Sequence, residues 1–352
     1  MAFKFPWSRR ASNERLVISW TGQALAFVLA RQTADGQHEV LQFGVLRRGA
    51  ANMADFAHRV QGLGLKARVA HVMLWPDQYQ LLQIDTPATP ANEMRAAARY
   101  QIQEKLDAQV DEITLDVMRV GDAKQQGAGY LFVVVATDAV VREMLEFGKA
   151  MGWTVPVIDI QETAQRNLQN GWAARDGSAN RAHAALVVHE GRMAVLTICA
   201  NDELFYTRRF ELPSRFWAIP WVSGADLYAD HANAFAPVDE YVPDYAYAVS
   251  DTEMEADLGE EDAQAQHFVL EVQRSLDGWS RSWSNMPLSN LHVYAGERSD
   301  ELAKWLNAQL GQTVLPLDVA GMFPGFDRGS AADQAYCLPL LGVLLRPEVR
   351  KP

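Results

Sequence analysis

Few residues of this chain stand at spacings that carry chemistry. The two cysteines, Cys199 and Cys337, lie in apolar surroundings with no second cysteine or histidine at metal-ligand spacing. They predict buried thiols in a reducing compartment and no structural zinc. His183, His189 and Asp159, with a neighbouring serine, follow no triad order and lack a nucleophile elbow. Gly127-Ala128-Gly129 has the look of a phosphate loop, but residues 130–135 behind it read as a strand and not a helix. It is therefore expected to be a hairpin turn. Three further glycine turns close apolar runs: Trp20-Thr21-Gly22, His189-Glu190-Gly191 and Ala295-Gly296-Glu297. Glycine suits such turns whatever binds there.

The elements that would position these turns follow a repeated plan. Residues 16–19, 24–30 and 40–46 read as three strands, joined at Thr21-Gly22 and Asp35-Gly36. A helix over 53–63 and strands over 69–74 and 79–84 come next. Thr86-Pro87 and Thr89-Pro90 break the chain. An alanine-rich helix over 91–106 follows, with Met94, Ala98, Ile102 and Leu106 in register. Strands at 115–120 and 129–136, a helix at 139–151 stopped by Gly152, a strand at 155–160 and a helix at 162–172 lead to a polar joint at 177–182. The chain then starts again with strands at 184–189, 193–200 and 203–212, turning at Glu190-Gly191 and Asn201-Asp202. Later come a helix at 266–283, a strand at 291–295, a helix at 300–310, a strand at 314–316 and an apolar helix at 336–345. The expected domains are a tail at 1–15, a first lobe at 16–180 with an inserted subdomain at about 68–135, and a second lobe at 181–352. The second lobe carries an irregular acidic insert at about 213–265.

Composition bounds the possibilities. The 352 residues are 49% hydrophobic and 22% charged, as in a folded chain of about two domains. No run of eighteen apolar residues occurs, so no membrane span is expected. No apolar segment backs the basic residues near the N-terminus, so no secretory signal is expected. Phe3, Phe5 and Trp7 beside Lys4, Arg9 and Arg10 suit an interfacial or partner-docking tail, or a frayed terminus. The net charge of −12 is local: residues 216–273 hold 13 acids and no Lys or Arg. The remainder is nearly neutral, and no broad basic field offers itself to nucleic acid. The acidic window is expected to be a solvated loop, or else a docking surface for a basic partner.

A duplicated three-strand opening followed by alternating helices and strands resembles the plan of actin-like ATPases. More specifically, the chain resembles the PilM family of type IV pilus assembly proteins. The resemblance rests on residues 16–29 as the opening strand pair and on Ile84-Asp85-Thr86-Pro87 with the helix 94–106 and the stretch 111–116. It rests further on Ala136-Thr137 with Met151-Gly152-Trp153 and Val157-Ile158-Asp159-Ile160, on Leu204-Phe205-Tyr206-Thr207-Arg208, and on Gln273-Arg274-Ser275-Leu276-Asp277, the most specific of the set. It implies an α/β, actin-like (ribonuclease H-like) two-lobed fold with duplicated β-meander cores and an inserted subdomain. It also implies a protein peripheral to the cytoplasmic face of the inner membrane, within a pilus assembly motor complex. The expected partner is the short cytoplasmic tail of a PilN-like membrane protein, docked between the first lobe's core and its insert, with Arg95, Arg99 and Ile102 as candidate contacts.

The same resemblance implies a nucleotide cleft at Thr21, Gly22, Gln23, Glu190, Gly191 and Gly296. In the family pattern an acid precedes each of the first two glycines and holds magnesium, while backbone N–H groups face the phosphates. Here Trp20 and His189 stand in the acids' places, and Phe27 falls where a phosphate-binding lysine is expected. Histidine suits transition metals better than magnesium. Glu190 is one position off, which on a strand turns a side chain to the other face. Without magnesium carboxylates and a phosphate cation, little is left to stabilise phosphoryl transfer. The expectation is a degenerate site with no catalytic residues, no required cofactor or metal, and at most weak ATP or ADP binding. Two alternatives stay open: an active ATPase using Glu190, or a GspL-like cytoplasmic component of type II secretion.

Overall fold

The computed structural model describes residues 13–65, 67–106, 109–120, 129–178, 181–189, 193–213, 215–219, 221 and 252–347, with the side chains of 252–262 excepted. The chain divides into two compact units, 1–168 with 318–352, and 169–317. The tail at 3–10, Glu190, Gly191, Gly127, Ala128 and most of the acidic window lie outside the described residues.

In the first unit β1 (Glu14–Trp20), β2 (Ala24–Gln32) and β3 (His38–Arg47) form an antiparallel meander. β4 (Ala70–Leu74) joins β1 in parallel and β8 (Ile158–Ile160) joins β4, giving the order β3-β2-β1-β4-β8. The alternation of the pleat sends Leu16, Ile18 and Trp20 of β1 to one face with Leu25, Phe27 and Leu29 of β2. There they meet Phe56 and Val60 of α1 (Met53–Gly62) and Met144 and Phe147 of α3 (Asp138–Met151). Thr137 caps the start of α3, and Gly152, at φ 77°, ends it in the left-handed conformation.

An inserted three-stranded antiparallel sheet has the order β5-β7-β6, from β5 (Gln80–Asp85), β6 (Ile113–Val120) and β7 (Tyr130–Thr137). α2 (Met94–Ile102) covers one face, where Met94, Ala98 and Ile102 meet Ile84, Ile113, Leu131 and Val133. The insert is therefore smaller than the 68–135 expected, because β4 pairs with β1 in the main sheet. α2 is also shorter than 91–106: residues 91–93 form a turn after Pro90, and the helix tightens into a 3₁₀ turn at Gln103–Lys105.

α4 (Gln161–Arg175) leads to the second unit. There β9 (Ala182–His189), β10 (Met193–Ala200) and β11 (Glu203–Glu211) form the second meander. Asn201 and Asp202, at φ 50° and 64°, make the two-residue turn that the twist of a hairpin favours. β12 (Leu288–Tyr294) pairs in parallel with β9, and β13 (Val314–Pro316) with β12. The order β11-β10-β9-β12-β13 repeats that of the first unit strand for strand. A meander extended by two parallel strands, occurring twice with an insert in the first copy, is the actin-like fold. α5 (Thr252–Ser282) and α6 (Ser299–Leu310) complete this unit. α5 starts fourteen residues before the expected 266, inside the stretch read as irregular, because its run of Glu, Ala, Leu and Gln favours helix.

The last helix, α7 (Ala331–Leu344), belongs to the first unit and not to the second as expected. It lies against β1, β2 and β3. The Cys337 thiol reaches the carbonyls of Phe27 and Gly44, and Asn167 donates to the Gly342 carbonyl at 3.0 Å. Apolar residues occur all round this helix, as burial on every side requires.

Candidate functional site

The first glycine turn is a closed hairpin. Gly22 has φ 78°. The Thr21 N–H donates to the Ala24 carbonyl at 3.2 Å, and the Ala24 N–H donates back to the Thr21 hydroxyl at 3.2 Å. The Gln23 carbonyl accepts from the Arg48 N–H. Two of the amides that could cradle an anion are thus spent within the turn. Trp20, read as standing in place of the acid of the resembled pattern, is 0% exposed. Its ring stacks on Phe147 at 4.4 Å and tilts against Phe56 at 5.2 Å. The indole N–H donates to Glu143 Oε1 at 3.0 Å. A Cβ on Gly22 would stand 3.3 Å from the same oxygen. A carboxylate is therefore held against the turn, where a phosphate would meet repulsion. Phe27 is likewise core, at the place of the expected lysine.

Glu143 was not foreseen. Its helical neighbour four residues on, Phe147, shares its face, so one helix supplies both the stacking ring and the acceptor for Trp20. No local signal joins positions 123 residues apart.

At the second turn the described strands end at His189 and resume at Met193, which pair across the hairpin. The third turn, at Gly296 with φ 58°, is fastened by Ser299, whose hydroxyl accepts from the Ala295 N–H at 2.9 Å and donates to the Gly296 carbonyl at 2.6 Å. Arg298 stands two residues after this glycine. Its guanidinium donates to the carbonyls of Trp217 and Ile219, pairs with Glu301 at 2.8 Å and lies 3.8 Å over the Trp221 ring. The cation nearest this glycine along the chain is thus committed to the protein itself.

The three candidate partner residues on α2 have different surroundings. Arg95 is exposed and pairs with Asp116 at 2.9 Å. Arg99 donates to the carbonyls of Val110 and Ile113, tying the helix to the start of β6. Ile102 is 0% exposed in the core of the insert, so a partner cannot touch it without opening that subdomain. The most exposed large side chain of the helix is Tyr100, at 80%.

Two motifs distant in sequence meet in the second unit. Arg208 pairs with Glu271 and reaches the Ser275 hydroxyl at 3.4 Å, while Arg274 pairs with the same Glu271. The hydrogen bond from Arg274, helped by the charge of Arg208 and opposed by burial, lowers the Glu271 pKa. This network fixes α5 to β11. Among the described residues no group of three His, Cys, Asp or Glu could hold a metal ion, and no helix is long and apolar enough to cross a membrane.

No protein-family model matches the sequence, and no curated protein matches it. By structure the chain is similar to a chain of the PilM–PilN type IV pilus biogenesis complex, with a TM-score of 0.61 and 17% identity, covering 95% of this chain and 98% of that one. It is more distantly similar to the cytoplasmic domain of EpsL, an inner-membrane component of the type II secretion system of Vibrio cholerae, with a TM-score of 0.40 and 13% identity over 68% of this chain and 86% of that one. A Bacteroides thetaiotaomicron protein with an actin-like ATPase fold gives a TM-score of 0.44 and 8% identity over 95% and 99% of the two chains.

Proposed function

We propose that this protein is a non-catalytic, actin-fold scaffold of a type IV pilus assembly complex, of the MshI kind that serves the MSHA pilus. It works at the cytoplasmic face of the inner membrane. It binds the short cytoplasmic tail of a PilN-like membrane protein and links it to the assembly motor. The fold shared with a chain of the PilM–PilN complex supports the pilus part of this reading.

The Trp20–Glu143 pair carries the non-catalytic part. Phosphoryl transfer needs cations and free N–H groups aimed at the phosphates. The first turn offers a buried indole, two spent amides and a carboxylate. Any ATP or ADP binding is weak and without turnover. The purified chain, assayed for phosphate release with ATP and magnesium, should stay at background. Turnover that Glu190→Gln abolishes would overturn this reading. A pull-down against the PilN-like tail tests the scaffold role, and a folded chain that fails to retain the tail counts against it.

A further inference from the structure

A cavity of about 480 Å³ opens in the second unit, between the C-terminal end of α5, the start of β12 and the turn before β13. That volume is typical of small-molecule sites, which span roughly 300–1,000 Å³. It is distinct from the glycine turns and plays no part in the function proposed above.

None of the described residues lining it is charged, although the Arg181 guanidinium reaches the carbonyl of the lining Leu288 at 3.5 Å. One wall is the half-buried indole of Trp283. That ring is held from behind: it stacks on buried Trp279 at 5.8 Å and meets the edge of Phe205 at 5.0 Å. The Trp279 N–H is already given to the Met286 carbonyl at 3.1 Å. The Trp283 indole N–H, by contrast, has no protein partner among the described residues, and neither have the side chains of Ser284, Gln312 and Thr313, which also line the cavity.

Ser289 supplies a group of fixed polarity. His183 Nε2 lies 2.8 Å from the Ser178 carbonyl, which can only accept, so the ring proton sits on Nε2. The bare Nδ1 then accepts from the Ser289 hydroxyl at 3.0 Å. With its proton turned to the histidine, Ser289, which lines the cavity, is left with its Oγ as an acceptor.

The cavity is thus lined by one rigid aromatic ring with its indole donor, one hydroxyl acceptor of fixed polarity and four further neutral polar side chains, Ser280, Ser284, Gln312 and Thr313. A cation would lose its hydration with no carboxylate among the lining residues to meet it, and the Arg181 guanidinium that reaches the lining is turned to the Leu288 carbonyl at 3.5 Å. A wholly apolar ring would leave the polar groups unpaired. A sugar ring fits both demands, with a C–H face to lie on the indole and hydroxyls that both donate and accept. We infer that this cavity binds a neutral saccharide unit, stacked on Trp283 and hydrogen-bonded by Ser289, Gln312 and Thr313.

The test is saturation-transfer NMR on the full chain with glucose, maltose and N-acetylglucosamine, each at millimolar concentration. At least one sugar should receive saturation from the protein. Trp283→Ala should abolish it. The double variant Gln312→Ala/Thr313→Val, on an exposed turn, should keep the wild-type melting curve and weaken binding about tenfold. No transfer to any of the three sugars overturns the inference. So does transfer undiminished in the folded double variant, or displacement of the sugar by a neutral proline-containing peptide at lower concentration.

Discussion

The Trp20 indole N–H and the Glu143 carboxylate meet at 3.0 Å beside Gly22. The pair joins the end of β1 to the middle of α3 and puts a carboxylate against the Gly22 turn. One contact thus serves packing and sets a carboxylate at the turn together.

Truncating this aromatic should be costly. Trp20→Ala removes a wholly buried ring stacked on Phe147 and leaves Glu143 without its donor. The expected loss is about 4 kcal/mol, read as a shift in the urea midpoint at unchanged slope. Trp20→Asp should destabilise the fold at least as much and restore no ATP hydrolysis.

The two arginines of α2 should behave differently. Arg95→Glu breaks one exposed ion pair and should cost less than about 1 kcal/mol. Arg99→Glu strips two carbonyls of a charged donor and should cost about 2–4 kcal/mol. Loss of tail capture by a fully stable Arg95→Glu or Tyr100→Ala variant would place the partner on this helix. Loss by Arg99→Glu alone would report on folding.

Stability should fall on mild acidification. Burial, reinforced by nearby His183 and opposed by Asp176, lowers the His292 pKa from 6.5 to about 4. The unfolded chain therefore takes up the proton first. Its stabilising contribution is complete above pH 6.5 and is lost as pH falls towards about 4, by about 3 kcal/mol in all. His38 and His71, both also lowered chiefly by burial, act in the same sense. Urea midpoints measured across this range for wild type and His292→Gln should converge as pH falls. Parallel curves would contradict the assignment.

Close approach of α7 to α4 depends on Gly342. A Cβ there would stand 2.0 Å from the Ala164 carbonyl oxygen. Gly342→Ala should destabilise by about 3 kcal/mol, whereas Gly278→Ala, with open space around it, should be neutral or slightly stabilising by thermal melting.

Local chemistry made much of the fold legible. The strands read at 16–19 and 193–200 are found at Glu14–Trp20 and Met193–Ala200, because apolar runs and turn residues act within a few positions. Gly22, Asn201 and Asp202 adopt the positive φ that their turns need. The register of Met94, Ala98 and Ile102 was equally legible, but whether that face meets a partner or a sheet depends on strands that arrive later in the chain, and β5, β6 and β7 bury it. The same distance hid α7's place beside β1–β3. It hid the acceptor of Trp20 too: the sequence shows an aromatic two residues before the turn's glycine, but only the packing of α3 on β1 brings the Glu143 carboxylate to it, since side chains 123 residues apart meet through tertiary contacts and through no local rule.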